Sequence, residues 1–512
     1  MGTTATTLPR HLPLRLPRVC VAVAASNPAE MIAKADSLVR DNPFIEFRLD
    51  YIRQPASAFL RLRRFLEYHP EVLAIGTCRR AANGGKFRGS VAAQADVLVK
   101  AAAAGCQLVD VELQSAAAMK PKDMQRVRGA AALILSFHDY RATRKLEETF
   151  RKMTAVPADF YKIVATATCL ADNVVMMKFL EQKSHQRSVI GVCMGEQGII
   201  SRVLGVRAGS AFTFASSTPG EETAPGQLDS RTLRDTYRIE QVENSTRVYG
   251  VAGDPIEHSL SPAMMNAAFR RETVNAVYLG LHAKSLDDLL SCVREIPIHG
   301  LSITMPYKED IVEYLDNTEP LAAKIGACNT VVRAQDGNLY GFNTDVAGVV
   351  RPLEQRMTLN GAKVLVLGAG GAARAAAFGL KERGAEVFIS NRTSAAGQKL
   401  AKKSKSKFVT RAQLRKLQFD AIVHATPVGL GSPKQSPLKE HEINARYLLD
   451  MVYVPAETKL MKLARAKGVQ VIPGAEMFVQ QGARQFEIWT GKPAPVDEMQ
   501  RVVTSALQPK QK

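Results

Sequence analysis

The sequence predicts an α/β protein in two halves: a (β/α)8 barrel, then a two-lobed unit that contains a Rossmann-type dinucleotide-binding domain. From residue 19 to residue 216, eight short runs rich in Val, Ile, Leu and Phe alternate with helix-length segments, as buried parallel strands and their crossover helices do. Further along, a strand-like run at 363–367 ends in Gly368-Ala369-Gly370-Gly371, and a helix-forming segment follows. A glycine turn in that setting is typical of dinucleotide binding.

Composition excludes several classes of protein. The chain has 512 residues, of which 46% are hydrophobic, as expected of a globular protein of roughly three domains. No run of about 18 apolar residues occurs, so no membrane-spanning helix is predicted. The net charge of +19 favours anionic partners: acidic metabolites, phosphorylated cofactors or nucleic acid. The seven cysteines form no CxxC pair, which argues against a zinc ribbon or a disulfide framework and fits a reducing compartment.

The residues at the start of the barrel half allow two interpretations. Basic residues such as Arg10, Arg15 and Arg18 precede the apolar run 19–25, which is either a signal peptide or a first strand after a short tail. The remaining chain favours the strand, although an open doubly wound sheet is an alternative to the barrel. Helices are predicted over 90–104 and 171–183, and the segment 229–247 is predicted to form a last barrel helix that runs into a linker. The predicted strands cover residues 20–25, 44–50, 72–79, 108–113, 133–139, 160–167, 188–194 and 212–216.

Charged side chains stand near the carboxyl ends of these strands, where such barrels place their active sites. They are Glu46 and Arg48, Arg79, His138, and Lys162 in an otherwise apolar run. Burial lowers the pKa of an amine and makes it a nucleophile toward carbonyls. A histidine moves protons near neutral pH, and arginines bind carboxylates bidentately. Each residue alone could be structural, but together they predict a Schiff-base enzyme that acts on a carboxylated ketone.

The motifs EFRLD, SFHDY, YKIVA, ISRVLG and TAPGQ resemble type I 3-dehydroquinate dehydratases, over about residues 18–230. The resemblance implies that Lys162 forms an imine with the ketone of 3-dehydroquinate. It implies that His138 removes the adjacent proton and then helps water to leave. It also implies that Glu46 and Arg48 hold ring hydroxyls. The residues implied to position the carboxylate and the rest of the ring are Arg79, Arg202, Thr223 and Gln227.

One departure from this family concerns the loop after the third strand. The family usually has a glutamate before Gly-Gly, whereas this chain has Asn83-Gly84-Gly85. An amide can accept a hydrogen bond from imidazole but cannot balance its positive charge. We therefore expect a lowered pKa for His138 and a dehydratase slower by about 10- to 100-fold. A dehydrogenase with a slow or inactive barrel is one alternative function.

In the second half, the predicted strand 386–390 leads into Asn391-Arg392-Thr393. An NAD enzyme would usually place an acidic residue there, whereas Arg and Thr suit a 2′-phosphate, so NADP is favoured. Lys308 and Asp345 form a candidate acid/base pair, although each alone could belong to a surface ion pair. Around them, the motifs SLSP, TMPYK, GACNT, GFNTD, ATPVG and QQG supply small hydroxyl and amide residues that suit a polyol acid.

These motifs resemble shikimate dehydrogenases, over about residues 246–505. The resemblance implies that Lys308 delivers a proton as hydride from NADPH reaches the C3 ketone of 3-dehydroshikimate. It implies that Ser259 and Ser261 bind the carboxylate. The residues implied to hold ring hydroxyls are Thr304, Asn329, Asp345, Tyr453 and Gln481. Those implied to line the cofactor site are Gly368, Ala369, Gly370, Gly371, Ala372, Asn391, Arg392, Thr393, Thr426, Met451 and Gly474.

The two halves are consistent, since the product of the first reaction is the substrate of the second. The chain thus resembles the bifunctional dehydratase–dehydrogenases of plants. We expect a cytoplasmic monomer that acts on small-molecule substrates and uses NADP(H) as its cofactor. We expect no metal, and neither nucleic acid nor a membrane as a partner. Two further functions stay open at this point: a quinate-preferring dehydrogenase, and a nucleic-acid-binding regulator that reuses these folds. The expected domains are the barrel at 18–232, a substrate lobe at 246–345, an NADP lobe at 346–476, and C-terminal helices at 477–508 that return to the substrate lobe.

Overall fold

The computed structural model describes residues 12–13, 16–256, 259–432 and 434–508. The described chain divides into two compact units. One contains the residues up to 246 together with 281–296, and the other contains 247–280 and the residues from 297 onward. The predicted N-terminal tail, with Arg10 and Arg15, lies largely outside the described residues.

The first unit is a nearly closed barrel of eight parallel strands, which confirms the predicted fold class. The sheet order places β8 beside β1, and a bridge between Val189 and Ser210 joins the seventh strand to the segment that enters the eighth. An open sheet is therefore wrong. The strands are β1 (Val19–Val23), β2 (Phe44–Arg48), β3 (Leu73–Thr77), β4 (Leu108–Glu112), β5 (Ala132–His138), β6 (Phe160–Thr166), β7 (Val189–Met194) and β8 (Thr213–Ser216).

Helices connect these strands on the outside of the barrel. The helix predicted over 90–104 is α3; it begins after Ser90, whose hydroxyl accepts the N–H of Ala93 at 3.2 Å as an N-cap. The helix predicted over 171–183 is α7. The helices are α1 (Pro28–Val39), α2 (Phe59–Tyr68), α3 (Val91–Ala103), α4 (Leu113–Ala118), α5 (Pro121–Ala130), α6 (Leu146–Thr154), α7 (Ala171–Lys183) and α8 (Ile199–Leu204).

Two layers fill the barrel interior, because inward side chains recur every second residue along a strand. Phe44, Ile134 and Phe160 belong to a buried apolar cluster. Two residues further along the same strands lie Glu46, Ser136 and Lys162, which are also buried. The polar layer therefore lies on the side toward the carboxyl ends of the strands.

The segment 229–247, predicted as a last barrel helix that runs into a linker, is helical only near its start. The chain there forms a single π-helical turn, Thr232–Thr236, and then a 3-10 turn, Ile239–Gln241. Between the two turns Arg238 has a φ of 49°. Because a left-handed residue cannot continue a right-handed helix, the segment breaks at this point.

The second unit contains two sheets. The first has the order β10-β9-β11-β13-β14-β12, with parallel pairing of β9 and β11 and antiparallel pairing of β13 with its two neighbours. Its strands, and the helices within this stretch of chain, are β9 (Arg247–Gly253), α9 (Ser261–Arg271), β10 (Ala276–His282), α10 (Leu286–Glu295), β11 (Ile298–Ile303), β12 (Asn317–Thr318), α11 (Pro320–Ile325), β13 (Thr330–Arg333) and β14 (Leu339–Phe342).

The second sheet is parallel throughout, with the order β17-β16-β15-β18-β19-β20. This is the Rossmann-type arrangement, in which strand order reverses on either side of the first strand. Its elements are α12 (Asp345–Glu354), β15 (Lys363–Leu367), α13 (Gly371–Glu382), β16 (Glu386–Ser390), α14 (Ser394–Lys403), β17 (Lys407–Phe408), α15 (Arg411–Leu414), β18 (Phe419–His424), β19 (Ala445–Asp450), α16 (Lys459–Ala466) and β20 (Gln470–Ile472).

Two C-terminal helices, α17 (Gly474–Thr490) and α18 (Val496–Leu507), share a buried core with α9 and the first sheet of this unit. Tyr249, Phe269, Phe486, Trp489 and Met499 belong to that core. None of the helices in the described chain has the length and apolarity that crossing a membrane requires.

Helix α10 belongs to the barrel unit although it follows the barrel in sequence. Asp288 on α10 accepts the backbone N–H groups of Leu170 and Ala171, at 2.7 and 3.0 Å, where α7 begins. A carboxylate is favourable at this position because it satisfies amides that have no partner within the helix. Glu295 of α10 also forms an ion pair of 2.7 Å with Lys178 of α7.

Candidate functional site

Lys162 lies inside the barrel, third along β6, and is almost fully buried. Its Nζ atom donates to Oδ2 of Asp110 at 3.1 Å and lies 4.0 Å from Oε1 of Glu46. The same atom lies 3.7 Å from the ring centroid of Phe214. A buried amine needs such partners when it is charged. These partners also fix the position from which the amine of Lys162 can approach a ligand.

Asp110 is the central acid of this group, and the sequence-based set of site residues missed it. Besides Lys162, it accepts from Ser136 Oγ at 2.6 Å and lies 3.3 Å from Nη2 of Arg79. Burial alone would raise the pKa of Asp110, but Lys162 and Arg79 outweigh burial and hold it well below its usual range. The signal was present in the sequence: LVDVE is an apolar strand that contains acids, just as YKIVA contains a lysine.

His138 ends β5 and is half-buried. Burial, together with the positive charges of Arg79 and Lys162, holds the pKa of His138 well below its usual value. The imidazole is therefore neutral at physiological pH and able to accept a proton. The direction of the shift agrees with the sequence-based expectation, and the largest causes in the structure are burial and the charges of Arg79 and Lys162.

Among the described residues, no hydrogen bond joins Asn83 to the imidazole of His138. Its Nδ2 donates to Ser115 Oγ at 3.4 Å, and its carbonyl oxygen accepts from the hydroxyl of Tyr140 at 3.3 Å. The ring of Tyr140 lies parallel to that of His138, with centroids 5.9 Å apart. Tyr140, rather than the amide of Asn83, is therefore the neighbour that connects this loop to the histidine.

Glu46 and Arg48 lie on β2 and both point into the barrel. Glu46 accepts from Thr77 Oγ1 at 2.7 Å. Arg48 donates to both oxygens of Asp50, at 3.0 and 2.9 Å. Burial alone would lower the pKa of Arg48, but the negative charges of Asp50 and Glu46 outweigh burial and hold this pKa above its usual value. Arg48 is thus a cation whose orientation is set by Asp50, two residues further along the chain.

A second group surrounds the loop after β8. Arg202 on α8 donates through Nη2 to the carbonyl of Pro225 at 2.9 Å. In the same loop, the backbone N–H and hydroxyl of Thr223 donate to Oε1 of Gln227 at 2.7 and 3.1 Å. Burial lowers the pKa of Arg202 to about 10. The Nε atoms of Arg202 and of Arg79 are buried without a hydrogen-bond partner among the described residues, so both can receive the oxygens of an anionic ligand.

In the second unit, Lys308 and Asp345 form the predicted pair. Nζ of Lys308 lies 2.6 Å from Oδ2 of Asp345, and Nδ2 of Asn329 donates to the other carboxylate oxygen at 2.8 Å. Asp345 begins α12 and is buried, whereas Lys308 is only partly buried. The carboxylate is therefore held from within the protein, and the ammonium remains accessible to a ligand.

The other predicted substrate residues lie on several elements of this unit. The N–H of Ser261 donates to Ser259 Oγ at 3.3 Å where α9 begins. Thr304 follows β11, and its N–H donates to the carbonyl of Ala252 at 3.0 Å. Tyr453, after β19, stacks on Phe478 with centroids 4.8 Å apart. Gln481, one turn further along α17, donates to the carbonyl of Phe478 at 2.9 Å.

The glycine turn between β15 and α13 has room for a ligand. Gly368 has a φ of 119°, a backbone conformation that favours glycine. A Cβ atom at Gly370 would find no atom within 4 Å. Helix α13 has no side-chain cap at its N-terminus, so its first amides are available to a pyrophosphate. Ala369, Gly371 and Ala372 complete this turn.

The remaining predicted cofactor residues lie at the carboxyl ends of neighbouring strands. Asn391, Arg392 and Thr393 follow β16, where Nδ2 of Asn391 donates to the carbonyl of Thr393 at 3.0 Å and Arg392 and Thr393 are exposed. Thr426 follows β18, Met451 follows β19, and Gly474 begins α17. This edge of the sheet fits a dinucleotide with a 2′-phosphate, because an exposed arginine stands where strand β16 ends.

The described residues contain no group of three or more His, Cys, Asp or Glu side chains suited to a metal ion. Of the seven cysteines, all unpaired, six are buried and Cys169 is partly exposed.

Comparison with known proteins gives matches along both units. The family described as type I 3-dehydroquinase matches residues 19–244. The shikimate dehydrogenase substrate binding domain matches 251–331, shikimate / quinate 5-dehydrogenase matches 352–434, and the shikimate 5′-dehydrogenase C-terminal domain matches 474–504.

Individual relatives also match one or both units. A chloroplastic bifunctional 3-dehydroquinate dehydratase/shikimate dehydrogenase of Arabidopsis thaliana is 33% identical over 503 residues, which cover 93% of this chain and 82% of the relative. An NADP(+) shikimate dehydrogenase of Pyrococcus furiosus is 36% identical over 273 residues, 52% of this chain and 98% of the relative. The solved shikimate 5-dehydrogenase of Thermus thermophilus, in complex with NADP(H) and shikimate, has a TM-score of 0.48 at 37% identity and covers 51% of this chain and 100% of its own.

Proposed function

Because the chain belongs to the family of bifunctional 3-dehydroquinate dehydratase/shikimate dehydrogenases, we propose how its own residues carry out the two reactions. The chain is a lyase that converts 3-dehydroquinate to 3-dehydroshikimate, and an NADP-dependent oxidoreductase that reduces 3-dehydroshikimate to shikimate. The observation that carries the assignment of residues is a pair of lysines, each hydrogen-bonded to one carboxylate: Lys162 to Asp110 and Lys308 to Asp345.

In the barrel, Lys162 attacks the ketone carbon and water leaves, which forms an imine. Neutral His138 takes the proton from the adjacent carbon, and the electron pair moves toward the cationic nitrogen. His138 then returns a proton to the departing hydroxyl, and hydrolysis frees Lys162. This assignment is supported by the buried position of Lys162 and by the low pKa of His138, which keeps the base unprotonated.

Substrate binding in the barrel is assigned to side chains on two sides of Lys162. Glu46 and Arg48 hold ring hydroxyls. The carboxylate and the rest of the ring are bound by Arg79, Arg202, Thr223 and Gln227. The unpartnered Nε atoms of the two arginines support this assignment, since a carboxylate would supply the acceptors that they lack.

In the second unit, Lys308 donates a proton to the C3 oxygen during reduction, and Asp345 keeps the ammonium in place. NADP(H), when bound, supplies or accepts the hydride. Ser259 and Ser261 bind the substrate carboxylate, and the ring hydroxyls are bound by Thr304, Asn329, Asp345, Tyr453 and Gln481. The cofactor is held by the residues of the glycine turn (Gly368, Ala369, Gly370, Gly371 and Ala372) and by Asn391, Arg392, Thr393, Thr426, Met451 and Gly474.

We propose the domain boundaries 18–232, 246–345, 346–476 and 477–508, and a monomer in the cytoplasm. The family matches at 19–244, 251–331, 352–434 and 474–504 support this order of domains. Seven unpaired cysteines, six of them buried, support a reducing compartment. Fractionation of cells that express a tagged chain tests the compartment, and sedimentation equilibrium tests the oligomeric state.

The function is tested by mixing the purified chain with 3-dehydroquinate and NADPH and identifying the products by mass spectrometry. The expected product is shikimate. The matched variants Lys162→Met and Lys308→Met separate the two sites: the first should still reduce added 3-dehydroshikimate, and the second should accumulate 3-dehydroshikimate. Quinate as the product would contradict the proposal, because it would mean that 3-dehydroquinate is reduced before it is dehydrated.

A further inference from the structure

Three side chains form a hydrogen-bonded chain beneath the turn that carries Thr426. His424 is the last residue of β18 and is fully buried. Its Nδ1 lies 2.8 Å from Oδ1 of Asp450, and its Nε2 lies 2.6 Å from Oγ1 of Thr426. Asp450 ends the neighbouring strand β19, directly opposite His424 in the strand register, and is also fully buried.

The surroundings of Asp450 determine the direction of these hydrogen bonds. Its carboxylate also accepts from the N–H of Val452 at 3.1 Å and from the hydroxyl of Thr458 at 2.5 Å. A carboxylate accepts hydrogen bonds and has no hydrogen to donate, so Nδ1 of His424 is assigned as the donor in this bond. With Nδ1 as the donor toward Asp450, we assign Nε2 of the ring as an acceptor, to which the hydroxyl of Thr426 donates its only hydrogen, as in a carboxylate–imidazole–hydroxyl triad.

Thr426 can therefore only accept hydrogen bonds from a ligand. Its side chain is partly exposed, and one lone pair already receives the N–H of Val428 at 3.3 Å. The other lone pair is available. A ligand group that binds there must bring an N–H or O–H, whereas the oxygens of an ionised phosphodiester bring none.

The sheet order indicates which part of a dinucleotide Thr426 faces. Strand β18 lies on one side of β15, and β16, which leads to Arg392, lies on the other side. In this fold a dinucleotide lies across the reversal point, with its adenosine half on the β16 side. A Cβ atom at Gly368 would lie 3.2 Å from Cγ2 of Thr426, so this residue lies beside the glycine turn. Thr426 thus faces the nicotinamide half.

We propose that Asp450 and His424 are positioning residues that make the hydroxyl of Thr426 an acceptor for an N–H or O–H group on the nicotinamide half of NADP(H). The inference rests on the NADP site proposed above. The donor is either the carboxamide or a ribose hydroxyl. The same pair supports the rest of the site, because the N–H of Met451 donates to the carbonyl of His424 at 3.0 Å.

The primary test measures the Kd of NADP+ by isothermal titration calorimetry on the full chain, without a second substrate. Thr426→Val replaces the hydroxyl by a methyl group of similar size, and we expect it to raise the Kd about 3- to 10-fold, the loss of one hydrogen bond between neutral groups. Thr426→Ser should restore tight binding. Thr504→Val, which removes an exposed hydroxyl on α18, is the matched control.

The fragment 2′,5′-ADP distinguishes the two halves of the cofactor. It lacks the nicotinamide half, so Thr426→Val should leave its Kd unchanged. The 3-acetylpyridine analogue of NADP+ separates the two donors: a carboxamide donor predicts that the effect of Thr426→Val disappears with this analogue, and a ribose donor predicts that it persists.

The role of His424 is tested by a double-mutant cycle. His424→Phe should raise the Kd of NADP+ in the wild-type background and add little in the Thr426→Val background, because it acts through the same hydroxyl. If His424→Phe does not fold, Thr426→Val still decides the outcome.

Several results would overturn the inference. They are an unchanged Kd for NADP+ in Thr426→Val, an equal loss for 2′,5′-ADP, and additive effects of the two substitutions. Failure of the wild-type chain to bind NADP+ at all would instead contradict the proposed cofactor site.

Discussion

Lys162 and Asp110 form a hydrogen bond of 3.1 Å inside the barrel, although their strands, β6 and β4, are separated by β5. The two side chains meet because both point toward the barrel axis from the polar layer. Asp110 also lies within 3.3 Å of Arg79. One carboxylate therefore orients a lysine and an arginine that would otherwise repel each other.

Replacing this carboxylate tests its role directly. We expect Asp110→Asn to lower kcat of the dehydratase about 10- to 100-fold, the range found when a charged positioning partner is lost. Borohydride reduction in the presence of 3-dehydroquinate, followed by mass spectrometry, should show slower labelling of Lys162. The dehydrogenase activity of the same chain is the internal control. A dehydratase rate within a factor of about two of wild type would contradict this role.

The low pKa of His138 predicts the pH dependence of the dehydratase. A histidine acts as a base only when neutral, so kcat should stay constant as the pH falls through the usual histidine value of 6.5 and decrease only at lower pH. Asn83→Glu adds a carboxylate to the neighbouring loop, which should raise the pKa of His138 and move the decline to higher pH. Identical kcat–pH profiles for the two proteins would mean that this loop does not influence the histidine.

Arg202 should contribute to binding at a cost in stability. Its guanidinium is buried with a pKa lowered to about 10, and its Nε has no partner among the described residues. Arg202→Gln should raise KM for 3-dehydroquinate about 10- to 100-fold, since a hydrogen bond between charged groups is lost. The same change removes a buried unpaired charge, so the thermal unfolding temperature of the barrel should not fall. A large fall in that temperature without a change in KM would show a purely structural role.

Arg392 should determine the choice between NADP and NAD. Its side chain is exposed at the end of β16, where it can pair with a 2′-phosphate. Arg392→Ala should lower kcat/KM for NADP+ about 10-fold and leave kcat/KM for NAD+ unchanged. Lys402→Ala, which removes an exposed cation from α14, is the matched control. Equal losses with both cofactors would show that Arg392 does not recognise the phosphate.

The strands and the lysines could be predicted from the sequence because their signals are local. An apolar run of five to seven residues that contains one lysine, such as β6, is recognisable without any knowledge of its neighbours. The pair Lys308–Asp345 was also predicted, and the structure places the two charged atoms 2.6 Å apart.

The contacts of Asp110, Asn83 and His424 could not be predicted in the same way. Each contact depends on which residue of another element lies opposite. Asp110 contacts Lys162, which lies two strands away, and Asn83 contacts Ser115. His424 lies in register with Asp450 of the neighbouring strand. The segment 229–247 was predicted as a helix that runs into a linker because it is polar and charged. Its break at Arg238 depends on a backbone angle that no residue type in that segment indicates.

The position of Asp288 has a consequence for the order in which the chain is synthesised. The helix α7 that it caps is complete at residue 183, but the carboxylate that binds the N–H groups of Leu170 and Ala171 is translated only after the whole barrel sequence. Nascent chains generally fold domain by domain from the N-terminus. In this protein the segment 281–296 is grouped with the barrel unit, so α7 lacks this cap until residue 288 has left the ribosome, and a fragment that stops at residue 246 lacks the cap permanently.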